Sequence, residues 1–87
     1  MIAVPNFKWS GNAEAIYEKS ISATPFLFRH NTRDGLDKLL MERFGEKKKI
    51  SEEAIVEIIK ENTPSAFLGR GMKAIAPLLT DPSLAEL

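Results

Sequence analysis

A threonine followed by a proline at positions 24 and 25 predicts the start of a helix. The threonine hydroxyl can accept a hydrogen bond from an otherwise unpaired helix N–H, and proline fits the first helical position, where no N–H partner is needed. Phe26, Leu27 and Phe28 then give this start a large apolar payload, while Arg29, His30 and Arg33 put positive charge where the helix dipole disfavours it. Such a mismatch asks for an acidic neighbour, an anion, or an arginine stem packed into the fold.

From that start the spacing predicts a helix over 25–44, in which Phe28, Leu36, Leu39, Leu40 and Phe44 recur with helical period. Gly35 within it points to close approach of another helix or to a bend, and Gly45 is a natural C-terminal stop. Upstream, residues 1–8 read as an extended leader broken by Pro5 and Asn6. Trp9-Ser10 opens a first helix over 10–21, with Ser10 as N-cap and Ala13, Ile16, Tyr17 and Ile21 as its apolar stripe.

Downstream, Ser51 caps a third helix over 51–61, with Glu52 and Glu53 in its dipole-favoured first turn. Ala54, Ile55, Ile58 and Ile59 form its core face, and Asn62-Thr63-Pro64 ends it. The tail reads as a helical turn at Ser65–Leu68, a flexible joint at Gly69-Arg70-Gly71, and a short helix through Met72, Ile75, Leu78 and Leu79, bent at Pro77. A final turn starts at Asp81-Pro82-Ser83. No strand-like alternation, repeat or low-complexity tract stands out. The expected fold is all-α: a small three-helix bundle (10–21, 25–44, 51–61) with a short irregular helical C-terminal extension. The expected organisation is a leader at 1–8, a helical domain at 9–64 and the extension at 65–87.

Composition narrows the chemistry. An 87-residue chain buries only about 60% of its unfolded surface and has modest stability without help. The absence of cysteine excludes disulfides, thiolate-bound zinc and Cys-ligated iron–sulfur clusters, and a single histidine cannot supply a multi-histidine site. No metal or cofactor ligand set is therefore expected. Net charge is zero but uneven: residues 25–49 hold seven Lys/Arg against four Asp/Glu, and residues 50–64 hold one against four. A zero total argues against nonspecific nucleic-acid binding. With no secretory signal and no run of about 18 to 20 apolar residues, the chain reads as soluble, intracellular and cytoplasmic.

The leading candidates for a site are Arg29 and Arg33, which stand four apart on one helical face and can clamp a carboxylate or phosphate. The alternative is structural pairing with Glu52, Glu53 or Glu57 of the acidic third helix. His30 alone reads as a helix-flank residue, and Lys47-Lys48-Lys49 as a solvated turn. Arg70 and Lys73, beside two glycines and near a helix start, are further candidates for an anion or partner contact, although the stretch lacks the phosphate-loop pattern. Phe67, Leu68 and Met72 are candidate partner-facing apolar residues, in a tail that either folds back or docks helix-in-groove. Trp9 reads as a core anchor. No nucleophile, base and orienter can be assembled, so no catalytic residue is assigned.

Taken together, Trp9, Ala13, Pro25, Phe28-Arg29, Arg33, Glu42-Arg43 and Ile50-Ser51-Glu52-Glu53 resemble a known small domain. It is the helical domain at the C-terminus of the B subunit of light-independent protochlorophyllide reductase. The resemblance covers roughly residues 7–62, and the segment from Ser65 onward lies outside it. It implies a compact helical domain associated with nitrogenase-like redox enzymes, whose cluster and tetrapyrrole sites belong chiefly to a much larger body. The expectation is thus an accessory or protein-interaction domain, partnered by a larger subunit of a redox assembly and not catalytic by itself. Two alternatives stand beside it. One is a helix-turn-helix-like nucleic-acid binder, disfavoured because its recognition helix would be the acidic third one. The other is a tetrapyrrole or anion module in which Arg29, Arg33 or Arg70 holds propionates.

Overall fold

Alanine and isoleucine spacing decides the first helix. In the computed structural model, which describes residues 7–45, 48–80 and 83, α1 runs Ala13–Ala23. It buries Ala13, Ile16, Tyr17, Ser20 and Ile21, the i, i+3, i+4, i+7, i+8 stripe of a helix packed on one face. Ser20 is tolerated there because its hydroxyl donates to the Tyr17 carbonyl at 2.8 Å.

The expected start of this helix at Ser10 is corrected by a small sheet. Strand β1 (Lys8–Trp9) pairs in parallel with β2 (Lys49–Ile50), Trp9 opposite Ile50, and the Ser10 N–H donates to the Ile50 carbonyl at 3.0 Å. The Ser10 N–H is thus bonded to β2, the chain turns at Gly11 with φ +57°, and α1 begins after Asn12 without a side-chain cap. Strands of two residues each are too short to show alternation, so nothing in the sequence announced them. Trp9 lies on this strand, not at a helix start. Phe7 beside it is buried, and residues 1–6 of the expected leader lie outside the described residues.

Thr24-Pro25 ends a helix instead of starting one. Thr24 is the C-cap of α1, its N–H donating to the Ile21 carbonyl and its hydroxyl to the Ser20 carbonyl, at 3.1 and 3.0 Å. The physical reason is the preference of a residue before proline for extended backbone. Thr24 has ψ 140° and Pro25 ψ 142°. Phe26–Phe28 forms a single 3-10 turn, and α2 then runs Arg29–Arg43, burying Leu36 and Leu40. Gly45, at φ +59°, stops it as expected, donating to the Leu40 and Met41 carbonyls, both at 3.2 Å.

Helix α3 (Glu52–Asn62) follows its sequence signals. The Ala54 N–H donates to the Ser51 hydroxyl at 3.1 Å, and Ile55, Val56, Ile58 and Ile59 are buried against α1 and α2. Gly35 is where α2 and α3 approach, since a Cβ there would overlap the Asn62 amide. Helix α4 (Ser65–Ile75) packs on α1 and continues through Gly69-Arg70-Gly71, so the expected joint is helical. Met72 and Ile75 are the residues of α4 that pack on the core, three apart on one face. Ile75 is fully buried, and a 3-10 turn (Ala76–Leu78) carrying Pro77 brings Leu79 to the core. The all-α class is therefore the fold found, with the C-terminal extension a full layer of it. The radius of gyration, 12.1 Å, is that of a folded chain of this length, about 12 Å. Asp81 and Pro82 lie outside the described residues.

Candidate functional site

Arg29 and Arg33 do not form a clamp. Arg29 reaches back to the C-terminus of α1, its Nε donating to the Thr24 carbonyl at 2.8 Å and its Nη2 to the Ser22 carbonyl at 2.9 Å. A cation satisfying the last carbonyls of a helix is where the dipole favours it, so the charge that mismatches α2 matches α1. Arg33 turns to Glu18, Nη2 to Oε2 at 3.2 Å, and to the Tyr17 hydroxyl at 3.4 Å. That bond to Glu18 holds its guanidinium pKa above the usual arginine value.

The expected pairing of these arginines with Glu52, Glu53 or Glu57 is therefore corrected. Both arginines sit beside α1, and α3 takes its guanidinium from the far end of α2, where Arg43 forms a bidentate pair with Glu61. This pair lowers the Glu61 pKa below the ordinary carboxylate value. His30 pairs with Asp34 on the surface at 3.2 Å. Arg70 is exposed on α4, as is Lys73, and neither makes an ion pair among the described residues. Lys48 and Lys49 are exposed, Lys49 within β2, while Lys47 lies outside the described residues.

Tyr17 anchors an aromatic and charged cluster. Trp9 lies on its ring with centroids 5.1 Å apart, Phe7 meets Trp9 edge-on at 5.8 Å, and the Arg33 guanidinium sits over the Tyr17 ring at 5.6 Å. The Tyr17 hydroxyl donates to Asp37 Oδ1. Burial, reinforced by that bond and by the Asp37 charge, pushes the phenol well above the ordinary tyrosine range. A depression of about 80 Å³ remains here, and the cation that such an aromatic wall would take is already supplied by Arg33. Among the described residues no group of three or more His, Asp or Glu converges to hold a metal ion.

The unsatisfied surface lies at the 3-10 turn. Three residues per turn point three side chains about 120° apart, so Phe26, Leu27 and Phe28 cannot all face one core. They are 79%, 83% and 47% exposed. Phe28 meets Phe67 of α4 at 5.7 Å between centroids, and beside that pair opens a cleft of about 220 Å³. Its walls are the first turns of α2 and α4 (Phe28, Asn31, Thr32, Pro64, Phe67) and the ends of α1 and α3 (Thr24, Asn62, Thr63). Asn62 Nδ2 donates to the Thr32 carbonyl at 3.3 Å and closes one wall.

Of the apolar candidates, Phe67 faces this cleft, Leu68 is half-buried and Met72 packs against the core. Phe26 and Leu27 were missed as surface residues. Helical periodicity gave no signal for Phe26: the Leu36–Leu40 stripe, continued back by steps of four and three through Arg33 and Arg29, arrives at position 26, and only Leu27 falls off it. Set against protein-family models, characterised proteins and solved structures, the chain matches none of them.

Proposed function

We propose that this chain is a non-catalytic docking domain that holds a partner protein through the Phe26-Leu27-Phe28 ridge and the cleft beside it. The exposure of Phe26 and Leu27, at 79% and 83%, carries the reading. Scattered apolar residues on a surface are ordinary, but adjacent large ones beside an apolar-walled cleft mark an interaction site. Burying a side chain of this size contributes about 1.5–3 kcal/mol, which the isolated fold leaves unused and a partner would recover. At about 220 Å³ the cleft is below the roughly 300–1,000 Å³ of small-molecule pockets and suits one or two side chains of a partner.

The resemblance to the C-terminal domain of light-independent protochlorophyllide reductase supports a partner class. Arg29, Arg33, Arg43, Ser51 and Glu52, which carry it, all have partners within the chain, in keeping with a shared scaffold in place of shared catalysis. On this reading the partner is the larger body of a nitrogenase-like or other iron–sulfur redox assembly in the cytoplasm, with this chain as its accessory subunit. No helix of the described residues is long and apolar enough to cross a membrane.

A photo-crosslinking residue at position 27, compared with one at Lys38, exposed on α2 and outside both the ridge and the cleft, tests the docking role in the native host. A discrete adduct from position 27 alone, on an iron–sulfur subunit, is the expected result. Equal or absent crosslinking from the two positions would sink the docking role, and a discrete partner of another class would remove only the redox assignment.

A further inference from the structure

The twelve acidic residues of this chain leave two long gaps: none falls between Glu18 and Asp34, and none between Glu61 and Asp81. Every residue lining the Phe28–Phe67 cleft comes from those two gaps. The same segments hold five of the twelve Lys and Arg residues. Three of the five are Lys19, Arg29 and Arg33, and the latter two are tied down on α1. The other two are Arg70, one helical step beyond Phe67 at i+3, and Lys73, one step further; both are exposed with no acid to answer them among the described residues. Helices α2 and α4, whose first turns form the walls, both begin without an acidic residue in the first turn and without a side-chain cap, so their positive dipole ends add to the same sign.

We propose that the cleft takes an acidic peptide segment of the partner protein, one that seats an aromatic or leucine anchor against Phe28 and Phe67 and sets its carboxylates along Arg70 and Lys73. This deepens the docking reading above and rests on it. A second copy of the chain is a poor occupant, because a self-complementary contact would bring one cationic rim against another. The apolar walls fix the anchor, and the unpaired cations select the sign of what flanks it.

The test is selection of a displayed random dodecapeptide library on the full chain. Dye-labelled winners are then measured by fluorescence anisotropy against wild type, Leu27→Ser, Phe28→Ala and the double variant Arg70→Glu/Lys73→Glu, each confirmed folded by its thermal melt. Winners with net negative charge and an aromatic or leucine anchor are expected. Their affinity should drop about tenfold or more in the double variant and in Phe28→Ala, and should weaken with added salt. Neutral or cationic winners that still need Phe28 would overturn the acidic preference and leave the docking role standing. Winners indifferent to Leu27→Ser and Phe28→Ala, or no enrichment, would overturn both. Displacement of the peptide by duplex DNA or anionic phospholipid vesicles at equal charge would reassign the surface, as would a dimer in sedimentation velocity that Leu27→Ser abolishes.

Discussion

Glu52 and Thr80 share two hydrogen bonds across 28 residues of sequence, the Thr80 N–H donating to Oε1 and its hydroxyl to Oε2, each at 2.7 Å. The same carboxylate accepts the Asn12 N–H at 3.1 Å, and Asn12 Nδ2 donates to the Leu78 carbonyl at 2.8 Å. One side chain at the start of α3 thus ties the turn before α1 to the segment after α4. Hydrogen bonds to a charged group contribute about 1.5–3 kcal/mol each, less where solvent reaches them. Glu52→Ala is expected to cost about 2–4 kcal/mol in urea denaturation. Glu53→Ala, an exposed neighbour in the same helical turn, should cost only about 0.5 kcal/mol. Equal losses would reduce Glu52 to a helix-dipole residue.

Tyr17 gives the fold an alkaline limit. Burial raises its pKa first, followed by the hydrogen bond to Asp37 and the Asp37 charge, with Arg33 opposing. A raised value means the folded state favours the neutral phenol, so this contribution is complete below the unfolded value of about 10 and is lost as pH rises above it. The chain has one tyrosine, so phenolate absorbance reads this residue alone. Native protein should show no phenolate step near pH 10, whereas urea-unfolded protein should titrate there. Arg33→Ala should move the native onset higher and Asp37→Asn lower. A native step at the unfolded position would contradict the assigned burial.

The glycines of α4 and α2 behave oppositely. A Cβ added at Gly69 or Gly71 meets nothing within 4 Å, and both lie inside a helix. Their substitution by alanine should therefore stabilise the protein by about 0.5–1 kcal/mol each through helix propensity and a less flexible unfolded chain. At Gly35 the new methyl would displace the Asn62 amide and break its bond to the Thr32 carbonyl, cancelling the gain. Thermal unfolding of the three single variants checks this. Destabilisation by Gly69→Ala would mean that the segment is not helical in solution.

What the sequence disclosed and what it hid follow one physical division. Ser51 and Gly45 act through bonds to residues three to five positions away, and both were legible because local geometry alone makes them useful. Ile16, Leu40 and Ile59 were legible because burial repeats with the helical period. Thr24-Pro25 was misread because a helix stop and a helix start share those residues, and the choice depends on α1 ending at Ala23. The partners of Arg29 and Arg33 were hidden for a related reason: charge pattern along the chain favoured the acidic α3, but packing set both arginines against α1. The candidate surface was half visible, as an apolar payload with cations beside it. Its exposure depends on a 3-10 turn that periodicity cannot predict.

Exposure of the Phe26–Leu27 ridge also makes a claim about folding that can be separated from binding. A side chain that is already in water gives up little when made polar, so Phe26→Ser and Leu27→Ser should each change stability by no more than about 0.5 kcal/mol. Ile75→Ala, fully buried on α4, should cost about 2–5 kcal/mol through lost burial and the cavity left behind. Urea denaturation of the three variants provides the comparison. If the serine variants were as costly as Ile75→Ala, the ridge would be part of the core in solution, and the surface assigned to a partner would not exist. If they are neutral, the apolar character of positions 26 and 27 contributes nothing to the isolated fold, as the docking role proposed above requires.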